Sequence, residues 1–185
     1  MKRIDFVSEV LKRETTIGAI LPSSRSLVRK MLAKVNFKSA GIIVEFGPGN
    51  GIITKEIIRR KNPETRLIIF EVNPDFFKYL KATIGDRKDI TIYNRSADLL
   101  TETLHEEGID KADYIISSVP LIRLPKTVSE NIILSAHQML KDGGLFIQFQ
   151  YSLMSQRKLK NLFKDVKTNF AAINMPPAFI YICTK

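Results

Sequence analysis

The chain has 185 residues, 44% hydrophobic and 26% charged, which is typical of a soluble globular protein with a sizeable core. No apolar run approaches the roughly 20 residues that span a bilayer, and acidic residues interrupt the first apolar stretch, so no signal peptide is expected. A single cysteine cannot form an internal disulfide, and the two histidines lie far apart, so the sequence predicts no metal site. This composition indicates a cytoplasmic protein.

The net charge of +10 is concentrated in two stretches. Residues 1–38 hold nine Lys/Arg against three Asp/Glu, and residues 157–167 hold five against one, while the remaining residues cancel. A solvated basic helix face would explain either stretch alone. Two clusters that carry the whole excess favour a polyanionic partner, either nucleic acid or an anionic membrane surface.

The order of predicted elements indicates an α/β fold. A helix is expected near residues 3–14, and a second helix, capped by Ser23 or Ser24, follows "TTIGAILPSSR" and continues to about residue 36. Short Ile/Val-rich strands then alternate with amphipathic helices, which predicts a parallel sheet covered on both faces. The strands are expected near 42–46, 66–71, 90–93, 113–117 and 143–149, and the helices near 51–61, 74–83, 126–140 and 153–164. The segment 166–185 predicts two strands around Pro176-Pro177, an antiparallel hairpin that closes the sheet.

A glycine-rich turn follows the first of these strands in "IIVEFGPGNGIITKEII". Gly47, Gly49 and Gly51 stand at alternate positions, with Glu45 just ahead of them. An open α/β sheet binds its ligand at this point, and glycine lets the backbone approach the ligand or adopt positive φ. A strand-to-helix turn without a ligand is the alternative, because a lone glycine loop is weak evidence.

Residues after the next two strands add to this pattern. Glu71 ends the second strand and is followed by Val72, and a carboxylate there can accept both hydroxyls of a ribose. Ser96, Ala97 and Asp98 follow the third strand, where polar groups and backbone amides can bracket an adenine. The pattern allows either a dinucleotide or S-adenosylmethionine.

The spacing E-x-G-x-G-x-G differs from the dinucleotide fingerprint and lacks the Gly-Lys-Ser/Thr ending of a phosphate-binding loop. It resembles the first motif of class I S-adenosylmethionine-dependent methyltransferases, whose sheet also ends in a reversed hairpin. The resemblance implies a Rossmann-like, mostly parallel seven-stranded sheet with helices on both faces, preceded by N-terminal helices. It implies S-adenosyl-L-methionine as the cofactor, bound by Glu45, Gly47, Gly49, Gly51, Glu71, Val72, Ser96, Ala97, Asp98 and Ser117. One methyltransferase domain is expected over 1–185, with a helical membrane-contact or lid segment at 1–38 and a cofactor-binding core at 39–185.

The motifs "EFGPGNG" and "FEVNPD" resemble both the rRNA adenine N6-dimethyltransferases and the bacterial phospholipid N-methyltransferases. Adenine enzymes carry Asn/Asp-x-Pro-aromatic after the fourth strand, where the ring stacks on a flipped base. Here the stretch is "SSVPLI", Ser117 to Ile122, with Leu121 in place of the ring. It is similar to the Ser-x-x-Pro-Leu segment of the phospholipid enzymes, as are "GAILPSSRSL", "QFQYS" and "NMPPAFIY". This resemblance implies N-methylation of an aminophospholipid headgroup, phosphatidylethanolamine towards phosphatidylcholine, with rRNA adenine N6-methylation as the alternative.

One departure affects the adenine contact. Many relatives have Asp-Ala where this chain has Ser96-Ala97, so the contact can fall to Ser96, to a backbone amide or to Asp98.

The transfer itself needs an amine aligned behind the methyl group, and no covalent nucleophile. Ser117, Ser118 and the carbonyls around Pro120 are the candidates for orienting the amine. Water, the lipid phosphate or Tyr151, which follows the fifth strand, can accept the proton. A role in packing alone, with the hydroxyl in water, is somewhat favoured for Tyr151.

The predicted first helix is amphipathic. Its apolar arc contains Ile4, Phe6, Val7, Val10 and Leu11, and cations lie mainly opposite. The helix either packs on its own domain or lies in a membrane interface, where cations attract anionic headgroups. The expected partners are an anionic membrane surface and an aminophospholipid, with RNA less favoured and no stable protein partner evident. The expected location is cytoplasmic, peripheral to the inner face of the membrane.

Overall fold

A computed structural model describes residues 25–172 and 176–185. Its helices are α1 (Arg25–Leu32), α2 (Ile52–Arg60), α3 (Pro74–Ile84), α4 (Leu100–Glu106), α5 (Lys126–Met139) and α6 (Gln156–Leu162). Its strands are β1 (Ile42–Phe46), β2 (Arg66–Phe70), β3 (Ile90–Tyr93), β4 (Ala112–Ser117), β5 (Leu140–Gln150), β6 (Asp165–Ala171) and β7 (Ala178–Thr184). The predicted helix at 3–14 and the predicted caps Ser23 and Ser24 lie outside the described residues.

The strands form one sheet in the order β3-β2-β1-β4-β5-β7-β6. The first five are parallel, and β7 runs antiparallel to both β5 and β6. This confirms the predicted fold, including the terminal hairpin. The carboxyl ends of β1 to β5 therefore meet at one edge of the sheet, together with the end of β6 and the start of β7, and we call this the carboxyl edge.

Two apolar layers hold the helices on the sheet. On one face Phe46 and Phe70 pack edge to face, with ring centroids 5.6 Å apart, beneath the apolar sides of α4, α5 and α6. On the other face Ile43 and Ile69 pack with α1, α2 and α3. The parallel strands are buried on both faces, which explains their nearly continuous apolar sequences.

The terminal hairpin places β7 inside the sheet, with a partner on each side. Tyr181 and Cys183 are fully buried on the face covered by α4, α5 and α6. Burial raises the pKa of the Cys183 thiol to about 12. Cys183 is the only cysteine of the chain.

The structure differs from the predicted elements in several places, among them α6, which covers Gln156–Leu162 rather than 153–164. α4 was not predicted, because only Leu100 and Leu104 mark its apolar face in seven residues. α1 ends at Leu32 rather than near 36. β5 begins at Leu140, three residues early, and a register shift against β4 accommodates the left-handed Gly143, at φ 75°.

Within the described ranges, no helix combines the length and apolar character required to cross a bilayer.

Candidate active site

The glycine loop leaves β1 at the carboxyl edge with a left-handed backbone. Gly47 has φ 62° and Gly49 has φ 55°, and the Gly47 N–H donates to the Phe70 carbonyl at 2.9 Å. A Cβ on Gly49 would enter open space, whereas a Cβ on Gly47 would lie 3.1 Å from a Val119 methyl. A Cβ on Gly51 would lie 2.8 Å from the Leu80 side chain, so packing of the loop on α3 already requires that glycine. The loop thus presents bare backbone to a space beside Gly49.

Glu71 ties this loop to the end of β2. Its carboxylate accepts the Gly49 N–H at 3.0 Å and the Asn73 N–H at 2.8 Å. Burial raises the pKa of Glu71, and the backbone N–H bonds from Asn73 and Gly49 oppose that rise. Two carboxylate oxygens have about four acceptor positions, so both can still accept a hydroxyl group.

Glu45 is fully buried on β1, and among the described residues neither of its carboxylate oxygens has a hydrogen-bond partner. The nearby Thr54 hydroxyl is also buried without one in that part of the chain. Burial raises the pKa of Glu45 to about 8. The Thr54 hydroxyl lowers this pKa, and the charge of Glu71 raises it further. A buried carboxylate in this state is costly unless a cation or hydrogen-bond donor binds to it.

A cleft beside Glu71 extends to the segment after β3. Its described lining includes Ser96 and Ala97 but not Asp98. The lining residues are Gly47, Phe70, Glu71, Val72, Arg95, Ser96, Ala97, Val119, Leu124 and Ile132. Asn94 supports this wall, since its side-chain amide donates to the carbonyls of Glu71 and Val72 at 2.8 and 3.2 Å. The sequence interpretation missed Asn94 and Arg95, although both stand directly before Ser96.

These features fit S-adenosylmethionine in three ways. The cleft is largely apolar, as an adenine ring requires, and Glu71 can accept ribose hydroxyls. Glu45 supplies a buried carboxyl group without a hydrogen-bond partner in the described chain, which can lose its proton and pair with the cationic amino group of the methionine part.

The segment after β4 forms the other side of the site. Ser117 is fully buried, and its hydroxyl accepts the Val119 N–H at 3.3 Å. Ser118 is half-buried, and its N–H donates to the Phe46 carbonyl at 2.9 Å. Leu121 lies in the apolar core with 1% of its surface exposed. No aromatic ring occupies the Leu121 position, and the leucine side chain points into the protein.

Two glutamines of β5 hold this segment in place. The side-chain amides of Gln148 and Gln150 donate to the Val119 carbonyl at 3.0 and 3.1 Å, and the Leu121 N–H donates to it at 2.9 Å. The Pro120 carbonyl accepts the Arg123 N–H at 2.9 Å. The Val119 carbonyl therefore cannot accept a further hydrogen bond from an amine. This excludes it from the carbonyls around Pro120 that were predicted to orient the acceptor amine. The role of the glutamines was not predicted.

Tyr151 follows β5 at the carboxyl edge and is 49% exposed. Its ring packs edge to face on Phe149, with centroids 5.7 Å apart. In the described part of the chain, no hydrogen bond or ring contact joins it to Ser117 or Ser118.

Comparison with known proteins agrees with this architecture. The methyltransferase small domain family matches residues 19–172. The chain is 31% identical to an ornithine lipid N-methyltransferase of Singulisphaera acidiphila over 179 residues, which is 96% of this chain and 93% of that protein. It is 29% identical over 114 residues to a ribosomal RNA small subunit methyltransferase A of Mycoplasma mycoides subsp. mycoides, covering 60% of this chain and 40% of that protein.

Solved structures share the fold. The N-methyltransferase NodS from Bradyrhizobium japonicum, in complex with S-adenosyl-L-homocysteine, has a TM-score of 0.70 at 13% identity and covers 97% of this chain and 98% of its own. A precorrin-6y C5,15-methyltransferase from Geobacter metallireducens has a TM-score of 0.68 at 18% identity, covering 89% and 90%.

The sheet order, the glycine loop and the cleft are those of a class I methyltransferase. The chain belongs to the methyltransferase small domain family. It is an S-adenosylmethionine-dependent N-methyltransferase, as the sequence predicts.

Proposed function

We propose that the enzyme methylates the amine of an aminophospholipid headgroup at a membrane surface, converting phosphatidylethanolamine towards phosphatidylcholine. The observation that carries this proposal is the buried Leu121. An enzyme that methylates adenine stacks the flipped base on a ring, and this loop offers a base no such surface. A small aliphatic amine needs no stacking.

The similarity to an ornithine lipid N-methyltransferase supports a lipid acceptor. It also favours a second acceptor of the same kind, since ornithine lipid likewise presents a primary amine. The two candidates differ in what surrounds the amine, a phosphate in one and an amino-acid group in the other.

When bound, S-adenosylmethionine supplies a methyl group on a positively charged sulfur, so the chain needs no covalent nucleophile. Glu71 would hold the ribose, Ser96 and Ala97 the adenine, and Glu45 the cationic amino group. Alignment of the acceptor amine lowers the barrier by roughly 7–11 kcal/mol when the geometry is right. Ser118 is our candidate for this contact, because it is half-buried whereas Ser117 is fully buried.

The proton of the headgroup ammonium must leave before transfer. Water, the lipid phosphate and Tyr151 remain the three candidates for its acceptor. The half-exposed position of Tyr151 favours water, which reaches the same region.

The division of the chain also stays a proposal, with a membrane-contact or lid segment at 1–38 and the cofactor-binding core at 39–185. α1 lies within the first segment but buries Leu27, Val28, Met31 and Leu32. Any apolar membrane contact made by this first segment therefore falls to the residues before α1. The enzyme would act at the inner face of the membrane, bound peripherally.

Parallel incubations with labelled S-adenosylmethionine test the function. The acceptors are vesicles with phosphatidylethanolamine, vesicles with ornithine lipid, and ribosomal RNA, and Glu71→Ala serves as the cofactor-deficient control. We expect label in the extracted lipid, and mass spectrometry gives the number of methyl groups. Label in RNA adenine with none in either lipid would overturn the proposal.

A further inference from the structure

Exposed apolar side chains cluster at the carboxyl edge. The described chain has seven large apolar side chains that are exposed, and five of them lie on segments at this edge. These five form what we call the apolar rim: Ile122, Tyr151, Leu153, Met154 and Phe170. Met154 is the most exposed, at 76%.

The rim lies along the half of the sheet formed by β4, β5, β7 and β6. The Tyr181 hydroxyl donates to the Ser152 carbonyl at 3.0 Å and so holds the loop after β5 against β7. Phe170 packs on Phe179, with ring centroids 5.2 Å apart, and Phe179 pairs with Gln150 of β5. The Gln156 side chain donates to the Thr168 hydroxyl at 3.2 Å, which fixes the start of α6 to β6.

Cations border the rim. Arg157 and Lys160 lie on α6, three residues apart and therefore on one side of it, and neither pairs with a carboxylate in the described chain. The Lys30 ammonium donates to the Phe170 carbonyl at 2.7 Å, which places a third cation beside an exposed ring.

Acidic residues are absent from the same segments. No Asp or Glu occurs from Ser117 to Ser129, from Gly143 to Lys164, or from Val166 to Lys185. The opposite edge differs, because Glu64, Asp86, Asp110 and Asp165 stand just before or at the start of β2, β3, β4 and β6. On the half of the sheet formed by β4, β5, β7 and β6, the segments at the carboxyl edge thus carry cations and no acidic residue, and Glu130 of α5 is paired with Lys158 of α6 at 3.2 Å.

We infer that the apolar rim docks on an anionic lipid bilayer, with Leu153 and Met154 in the acyl boundary and Arg157, Lys160 and Lys30 at the headgroups. This inference rests on the proposed function, since it brings the acceptor segment after β4 to the lipid surface. An RNA partner would use the cations but would leave the exposed Leu153 and Met154 without a purpose.

Vesicle cosedimentation of the full chain, without cofactor, tests the surface. The vesicles consist of phosphatidylcholine with or without phosphatidylglycerol. Neither lipid has a primary amine, so recognition of the substrate amine does not contribute to binding. The test variants are Leu153→Ser/Met154→Ser and Arg157→Gln/Lys160→Gln. The matched controls, which lie on α3 and α5, are Tyr79→Ser/Leu134→Ser, at 44% and 45% exposure, and Lys78→Gln/Lys81→Gln.

We expect each rim variant to lower partitioning onto anionic vesicles about tenfold or more, and the controls to change it less than twofold. Rim variants should still methylate a dispersed short-chain aminolipid at the wild-type rate. Unchanged vesicle binding overturns the inference, and an accompanying fall in melting temperature would show that the chain itself covers the rim. Binding of RNA in place of vesicles overturns it as well. Rim-dependent vesicle binding without methylation of any lipid would instead overturn the proposed function alone.

Discussion

At the ends of β1 and β2, two carboxyl groups keep free hydrogen-bonding capacity, whereas at the ends of β4 and β5 the polar groups use theirs on one another. Glu45 has no partner in the described chain, and Glu71 keeps acceptor positions for hydroxyls. By contrast, the Val119 carbonyl accepts three hydrogen bonds, and the Ser117 hydroxyl accepts the Val119 N–H. This contrast fits the proposed division into a cofactor half, which would recognise one molecule through polar contacts, and an acceptor half, which would mainly provide a rigid wall.

The strongest test of the cofactor half is Gly49→Val. A Cβ there enters open space at positive φ, so the branched side chain should block the cofactor and lower affinity at least about 100-fold, equal to about 2.8 kcal/mol. Calorimetry with S-adenosylmethionine measures this. Gly108→Val is the matched control, with φ 66° and open space, but after α4. Both variants should melt about 2–8 °C lower. Equal affinities in the two variants would contradict the assignment of the Gly49 space to the cofactor.

Glu45→Gln should weaken cofactor binding about 10- to 100-fold, because a charged hydrogen bond worth about 1.5–3 kcal/mol is lost. The wild-type affinity should also rise with pH up to about 8, since the carboxyl must release its proton before it pairs with a cation. A titration series between pH 6 and about 8 measures both effects.

The stability of the cofactor-free protein gives an independent test of Glu45. Its pKa is raised from 4.5 to about 8 in the folded state, so between these values the folded state binds more protons than the unfolded state. The free energy of unfolding should therefore fall as pH rises through this window, and Glu45→Gln should remove that fall. If the free energies of unfolding of the wild type and of Glu45→Gln change with pH in parallel, Glu45 does not lie in an apolar environment.

Gln150→Leu tests the acceptor half. It removes one of three donors to the Val119 carbonyl and should let the segment after β4 shift, lowering kcat about 5- to 10-fold. The Kd for S-adenosylmethionine should change less than twofold. A loss of cofactor affinity as large as the loss in kcat would show that the two halves are not independent.

Tyr151→Phe should have the smallest effect, less than about threefold on kcat, because water can replace an exposed hydroxyl as proton acceptor. Steady-state rates on phosphatidylethanolamine vesicles decide this. A loss greater than tenfold would assign the proton transfer to Tyr151.

The sequence could predict the places of the glycine loop and Glu71 in the fold because their signals are local. Gly47, Gly49 and Glu71 follow short strands rich in Ile, Leu, Val and Phe, and each needs only its own turn to be placed. The role of Gln148 and Gln150 depends on a carbonyl about thirty residues earlier, so no local pattern could reveal it. The sequence shows that Leu121 replaces the aromatic residue. It could not show that Leu121 is buried, because this burial depends on packing with α5. The short α4 offered too few apolar positions to show a period.

Cys183 gives the hairpin a built-in reporter. Its thiol is buried in β7 between β5 and β6, and a pKa of about 12 keeps it protonated and unreactive at neutral pH. Since the chain has no other cysteine, modification by a thiol reagent should occur only when β7 separates from its neighbours. The rate of labelling would then measure separation of β7 from β5 and β6, on the unmodified enzyme and without any introduced probe.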